Sequence, residues 1–289
     1  MTQGESITTL SEISDTASAY GQHQNYVFGL LLRRWFDRGV GWDTLLPVLA
    51  IAAAAGFLGG LFGKGGSAIA TPLLAALGIP PIIAVASPLP ATVPSTAIAS
   101  YAYWREQLLD WRVVVWSVGF GIPAVIAGAY ATRWIGGTLL VEATEVLIVG
   151  LGVRFVLRPG GAHERVVDVS GMRGRMAAVA IGAGLAAGLL ANSGGFLLAP
   201  LYLAVLRLPI KQAFASSLAV ACVLAIPGTI VHAALGHIDW ALVVAFAAAS
   251  IPLSYLGARV ALRTHPARLE RVYGAVLVVL GVGLLVTTL

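Results

Sequence analysis

Charge is what this sequence has least of. Only 11% of its 289 residues are Asp, Glu, Lys or Arg while 58% are hydrophobic, and the mean hydropathy is +0.88. So few polar side chains cannot cover a water-facing globule, which excludes a soluble enzyme or binding module. The single cysteine, Cys222, lies in an apolar stretch and has no internal partner for a disulfide, so cysteine usage does not reveal the redox compartment. Lysine occurs at two positions, Lys64 and Lys211. HExxH, GxSxG and P-loop motifs are missing, as is any pair of intramembrane aspartates. No carboxylate lies well inside an intact apolar segment; Glu142 and Glu145 fall near the start of 138–157. Intramembrane hydrolases and phosphotransferases need such groups, so no catalytic residue, metal ligand or cofactor is expected. Residues 1–25 lack an apolar core of signal-peptide length and read as a polar tail.

What the chain does have is apolar length. A membrane-spanning helix needs about 20 mostly apolar residues. From residue 45 onward the sequence reads as ten apolar segments, 45–62, 67–79, 84–104, 113–132, 138–157, 176–191, 195–206, 212–235, 240–258 and 272–289. Their continuous Ala/Leu/Gly composition excludes a transmembrane β-barrel, whose strands alternate faces. The expected fold is therefore an all-α integral membrane protein in a cell membrane. Between Tyr26 and Trp42, aromatics mixed with Arg33, Arg34 and Arg38 suit a short amphipathic helix at the interface. The net charge of +5 and pI near 9.7 would suggest a nucleic-acid partner in a soluble protein. Here the basic residues fall in loops, so the partner they point to is the lipid bilayer and not nucleic acid.

The chain repeats itself. At an offset of 128, Gly56, Gly60, Pro72 and Leu73 fall on Gly184, Gly188, Pro200 and Leu201. One inserted residue later, at an offset of 129, Ser87 falls on Ser216, Asp110-Trp111 on Asp239-Trp240, Ile122-Pro123 on Ile251-Pro252, and Gly128-Ala129 on Gly257-Ala258. Shared Asp-Trp and Ile-Pro pairs do not arise from Ala/Leu bias, so a five-segment unit is duplicated. The domains read as a tail plus interfacial segment at 1–44, a first repeat at 45–157, a basic linker at 158–175 and a second repeat at 176–289. Five arginines lie between Arg154 and Arg175 and four between Arg259 and Arg271. Both loops are expected to be cytoplasmic. An odd number of crossings per unit then inverts the halves and puts both termini outside. Arg33, Arg34 and Arg38 argue the other way, and a re-entrant second segment would reverse the N-terminal side.

Each unit opens with a Gly-rich break that a helix crosses only at a propensity cost, Gly63-Lys64-Gly65-Gly66 in the first and Asn192-Ser193-Gly194-Gly195 in the second. A charge at the bilayer centre costs about 2.5–3.5 kcal/mol on insertion scales, which makes Lys64 the most informative side chain. On one reading, freed N–H groups and a helix N-terminus near Ser67 attract an anion and Lys64 adds full charge. On the other, Lys64 snorkels to water. Asn192 and Ser193 would form the facing, neutral wall of such a site. Pro88, Pro90 and Pro94 free carbonyls in the third segment, where Ser87, Thr92, Ser95 and Thr96 form a polar strip matched by Ser216, Ser217 and Thr229. Ser87, Ser216 and Ser217 stand out because the repeat aligns them. Single hydroxyls otherwise back-bond to their own helix. His232 is a candidate for proton coupling or a plain interfacial hydrogen bond. Asp110 and Asp239 read as N-caps beside interfacial tryptophans, and the Gly56/Gly60 and Gly184/Gly188 pairs as close-packing surfaces.

The stretches GLFGKGGSAIATPLL at 60–74 and GLLANSGGFLLAPLY at 188–202, with AVASPLPATVPSTAIASYAYWREQLLDWR at 84–112 and AFASSLAVACVLAIPGTIVHAALGHIDW at 213–240, resemble the TauE/SafE sulfite exporter family. The resemblance runs from about residue 45 to the end. It implies a membrane transporter of sulfite, thiosulfate, organosulfonates or related small anions. Lys64 and Asn192-Ser193 depart from the all-small breaks usual in that family. The expected activity is secondary transport of a small anionic substrate by alternating access. An anion channel on the same scaffold and a non-transporting membrane scaffold are the alternatives, and monomer and homo-oligomer are both open.

Overall fold

The computed structural model describes residues 42–63, 67–131, 153, 157, 173–189 and 195–288. Among them every regular element is a helix. This is the expected outcome for Ala/Leu-rich runs in lipid, where each backbone N–H and C=O must find its partner inside the segment. In chain order they are α1 (Trp42–Phe62), α2 (Ser67–Ala76), α3 (Pro81–Ala86), α4 (Pro88–Arg105), α5 (Trp111–Ala131), α6 (Arg173–Leu189), α7 (Gly195–Leu201) with a π-helical turn at Tyr202–Leu206, α8 (Ile210–Ala234), α9 (Trp240–Arg263) and α10 (Pro266–Thr288). Among the described residues, five stretches are long and apolar enough to cross a membrane: Thr44–Phe62, Ile82–Arg105, Trp111–Gly128, Ile210–Ala234 and Trp240–Arg263. The segment expected at 138–157 lies outside the described residues, apart from Val153 and Leu157, which are helical. Helices α9 and α10 run past the limits read from hydropathy, to Arg263 and from Pro266. Charged side chains end an apolar run without ending the backbone ladder.

The chain divides at Leu46/Pro47 into two units; the larger, Pro47–Leu289, holds the helical bundle. Within it, glycines set how closely helices approach. A Cβ on Gly56 would lie 2.6 Å from Ser250 Cα, one on Gly60 2.7 Å from the Ser254 carbonyl carbon, and one on Gly257 2.9 Å from Leu61 N. Helices α1 and α9 therefore run parallel in backbone contact. Gly184 faces Gly121 and Ala124, and Gly128 faces Leu185, so α6 and α5 do the same. The two contacts map onto each other through the sequence repeat, since Gly56 aligns with Gly184, Ser250 with Gly121, Phe57 with Leu185 and Gly257 with Gly128. Helix α1 thus packs on α9, and α6 on α5.

Serine hydroxyls make two further links between residues distant in sequence. The Asp239 N–H donates to Ser87 Oγ at 3.0 Å, and the Asp110 N–H donates to Ser216 Oγ at 3.3 Å. Asp239 also caps α9 through the Ala241 and Leu242 N–H groups. Asp110 does so for α5 through Arg112 and Val113. Both N-caps are as the sequence leads one to expect, and Trp111 and Trp240 beside them are 59% and 51% exposed.

These contacts fix directions. Helix α4 is parallel to α9, because Ser87 meets Asp239 and Ser95 meets Ser250. It is antiparallel to α8, because Leu89 approaches Gly228 while Val93 meets Cys222. One end of the bundle accordingly carries the starts of α4 and α9 and the end of α8. The other carries the end of α4 and the starts of α5, α6 and α8. Among the described residues, Arg105, Arg112, Arg173, Arg175, Arg207, Lys211, Arg259, Arg263, Arg268 and Arg271 all lie toward this second end.

Candidate functional site

The first break starts as the glycine pattern requires. Helix α1 stops at Phe62, and Gly63 turns the chain with φ of +68°, a left-handed conformation that glycine adopts without the steric cost of a Cβ. Gly63 is buried. Its carbonyl accepts from Ser217 Oγ at 2.8 Å, and the same hydroxyl lies 3.0 Å from the Phe214 carbonyl. A Cβ on Gly63 would sit 2.6 Å from Phe214 Cα, so the turn is pressed onto α8. Phe62, Phe214 and Tyr273 pack their rings alongside, with centroids 5.0–6.3 Å apart, tying α1, α8 and α10 together. The structure thus brings Gly63 and Ser217 together.

Lys64, Gly65 and Gly66 lie outside the described residues, as do Asn192, Ser193 and Gly194. Ser67 and Gly195 begin α2 and α7. Ser87 and Ser216 are fully buried but are not neighbours, because each accepts from an N-cap at a different end of the bundle. Along α8 those ends are separated by about 20 Å at 1.5 Å per residue. His232, half-buried near the end of α8, has its Nδ1 3.3 Å from His237 Nδ1. The other lysine, Lys211, donates from Nζ to the Leu262 carbonyl at 2.7 Å and caps the end of α9. Thr229 Oγ1 is buried and has no hydrogen-bond partner among the described residues.

A second polar locus lies where α1, α4 and α9 meet. Thr92, Ser95, Thr96, Ser250 and Ser254 line a cavity of about 10 Å³ with Ala55, Gly56, Gly59 and Phe246. The α4 hydroxyls stand out in the sequence as a polar strip, whereas Ser250 and Ser254 do not. The signal was there: Ser250 and Ser254 are four residues apart, the spacing of Gly56 and Gly60, so both pairs occupy one helix face.

Comparison with known proteins follows this architecture. The family model described as "Sulfite exporter TauE/SafE" matches residues 48–284. The chain belongs to this family. TauE/SafE proteins are membrane transporters and not enzymes, in keeping with the multi-pass helical bundle. A "Probable membrane transporter protein" of Xylella fastidiosa (strain 9a5c) is 28% identical over 253 residues, covering 83% of this chain and 94% of the relative. The "Probable membrane transporter protein YjnA" of Bacillus subtilis (strain 168) is 24% identical over 254 residues, covering 83% and 99%. The "Probable membrane transporter protein YunE" of the same organism is 22% identical over 241 residues, covering 75% and 86%. No solved structure matches the TauE/SafE chain.

Proposed function

We propose that this TauE/SafE protein is a secondary transporter of a small anion, of the sulfite, thiosulfate or organosulfonate class, that works by alternating access between two inverted halves. The observation that carries the reading is the buried Gly63 turn, anchored by Ser217 and followed in sequence by Lys64. An interrupted helix frees backbone N–H groups and directs a positive dipole end at an anion. Lys64 adds a full charge, and the second break contributes Asn192, Ser193, Gly194 and Gly195 as neutral donors. The distance between Ser87 and Ser216 supports a narrower role for that pair. They hold the two halves together at opposite ends, while Ser217 belongs to the site.

The inverted arrangement is supported by the parallel pairs α1/α9 and α5/α6 and by the antiparallel α4 and α8, which together make α1 and α6 run oppositely. The reciprocal serine links support it as well. The basic end faces the cytoplasm by the positive-inside rule, which puts the start of α1 outside.

The test is Lys64→Met in reconstituted vesicles, with flux of sulfite, thiosulfate and a sulfonate measured beside the amount of folded protein. The expected result is a loss of flux of at least tenfold, roughly the worth of one charge-assisted hydrogen bond, with folded protein unchanged. Equal loss of both would make Lys64 structural. No flux of any anion in the unmodified protein would refute transport.

A further inference from the structure

Five hydroxyls form a buried polar cluster between α4 and α9. Thr92, Ser95, Thr96, Ser250 and Ser254 are each no more than 7% exposed. A hydroxyl has one proton and two lone pairs, and here the protons are committed. Thr92 donates to the Pro88 carbonyl at 2.9 Å, Ser95 to Ala91 at 2.7 Å, Thr96 to Thr92 at 2.8 Å and Ser254 to Ser95 at 2.9 Å. Since Ser95 has given its proton to Ala91, Ser250 is the donor in the 2.9 Å contact between the two serines. What these side chains still offer is lone pairs. An anion requires donors, so this cavity is chemically wrong for the transported anion. It suits a cation or a water.

The sequence repeat supplies an internal control. At the offset of 129, Thr92, Ser95, Thr96, Ser250 and Ser254 align with Ala221, Leu224, Ala225, Gly121 and Val125. The structure builds that second crossing too: a Cβ on Gly121 would meet Leu224 Cδ2 at 3.2 Å, where its counterpart Ser250 meets Ser95. The same helix contact is therefore made in the other half without a hydroxyl. Packing suffices in the apolar version; the polar one adds five hydroxyls whose protons are bonded and whose lone pairs are left over.

We infer that the α1/α4/α9 crossing binds one small monovalent cation, sodium by size, as the ion coupled to transport. The cavity of about 10 Å³ admits a single water-sized guest. Hydroxyl oxygens are hard ligands, and the absence of a carboxylate from the lining disfavours a divalent ion. Gly56 and Gly60 bring the backbones of α1 and α9 close around the ion. Only the coupling role rests on the transporter reading; binding itself does not.

The experiment is thermal unfolding and equilibrium binding of radioactive sodium with the purified full chain, without substrate, in sodium chloride and in choline chloride at equal ionic strength. Sodium should raise the unfolding temperature saturably, choline should not, and about one sodium should be retained per chain. Ser95→Ala with Ser250→Ala removes two oxygen atoms from a crossing whose twin folds without them. It should unfold normally in choline and bind sodium at least tenfold more weakly. Failure of the wild-type chain to retain sodium, a result that needs no variant, overturns the inference, as does undiminished binding by the double variant. Anion flux that persists while sodium does not bind leaves the proposed transport intact and sinks only the cation site. Sodium binding with flux indifferent to a sodium gradient overturns the coupling role.

Discussion

Replacing Gly63 with alanine tests the geometry on which the proposed site stands. Two separate costs arise. The left-handed backbone at φ of +68° disfavours an alanine by about 1–2 kcal/mol. The new Cβ would lie 2.6 Å from both Phe214 Cα and Ser217 Oγ, and overpacking of that kind costs about 1–3 kcal/mol. Together they amount to about 2–5 kcal/mol. The strain is relieved only by moving the turn away from α8, which breaks the Ser217 bond to the Gly63 carbonyl. Gly78 separates the two terms, because it has φ of +81° with nothing within 4 Å of a built Cβ. Gly78→Ala should therefore cost the backbone term alone. In thermal unfolding of the detergent-purified protein, Gly63→Ala should lower Tm by at least about 5 °C and clearly more than Gly78→Ala does. The same variant should lose anion flux in vesicles. If Gly63→Ala unfolds no earlier than Gly78→Ala and transports normally, the turn is not pressed against α8 and the reasoning fails.

Other expectations follow from the reciprocal packing. Gly257→Val and Gly128→Val occupy equivalent backbone contacts and should each destabilise by about 1–3 kcal/mol, read as comparable drops in Tm; a neutral result at either position contradicts that contact. Ser87→Ala and Ser216→Ala each leave the N–H of an N-cap aspartate without its acceptor. Each should cost about 1–3 kcal/mol without selectively impairing flux, and a variant that folds normally but transports nothing would return that serine to the substrate path. His232→Gln keeps a polar group beside His237 at the end of α8. Flux against pH should keep its shape in this variant, whereas a flattened profile would assign proton coupling to His232.

Much of this protein was legible in one dimension. Hydropathy placed the helices because lipid leaves a backbone no other way to satisfy its hydrogen bonds. The glycines near residue 63 marked the end of α1, because a positive φ is a local property that a local residue type reveals. Asp110 and Asp239 were readable as caps for the same reason. Partnership across the bundle was not readable. That Ser87 and Ser216 serve backbone groups about 20 Å apart depends on which helix lies beside which. Pairing of Ser250 with Ser95, 155 residues away, likewise depends on the glycines of α1 letting α9 approach. Composition and periodicity determined that the chain is a helical membrane protein. Only the tertiary structure decided that α1 packs on α9 and α6 on α5, and which hydroxyls share a cavity, because contact between distant segments is a property of the packed bundle and of no stretch of sequence alone.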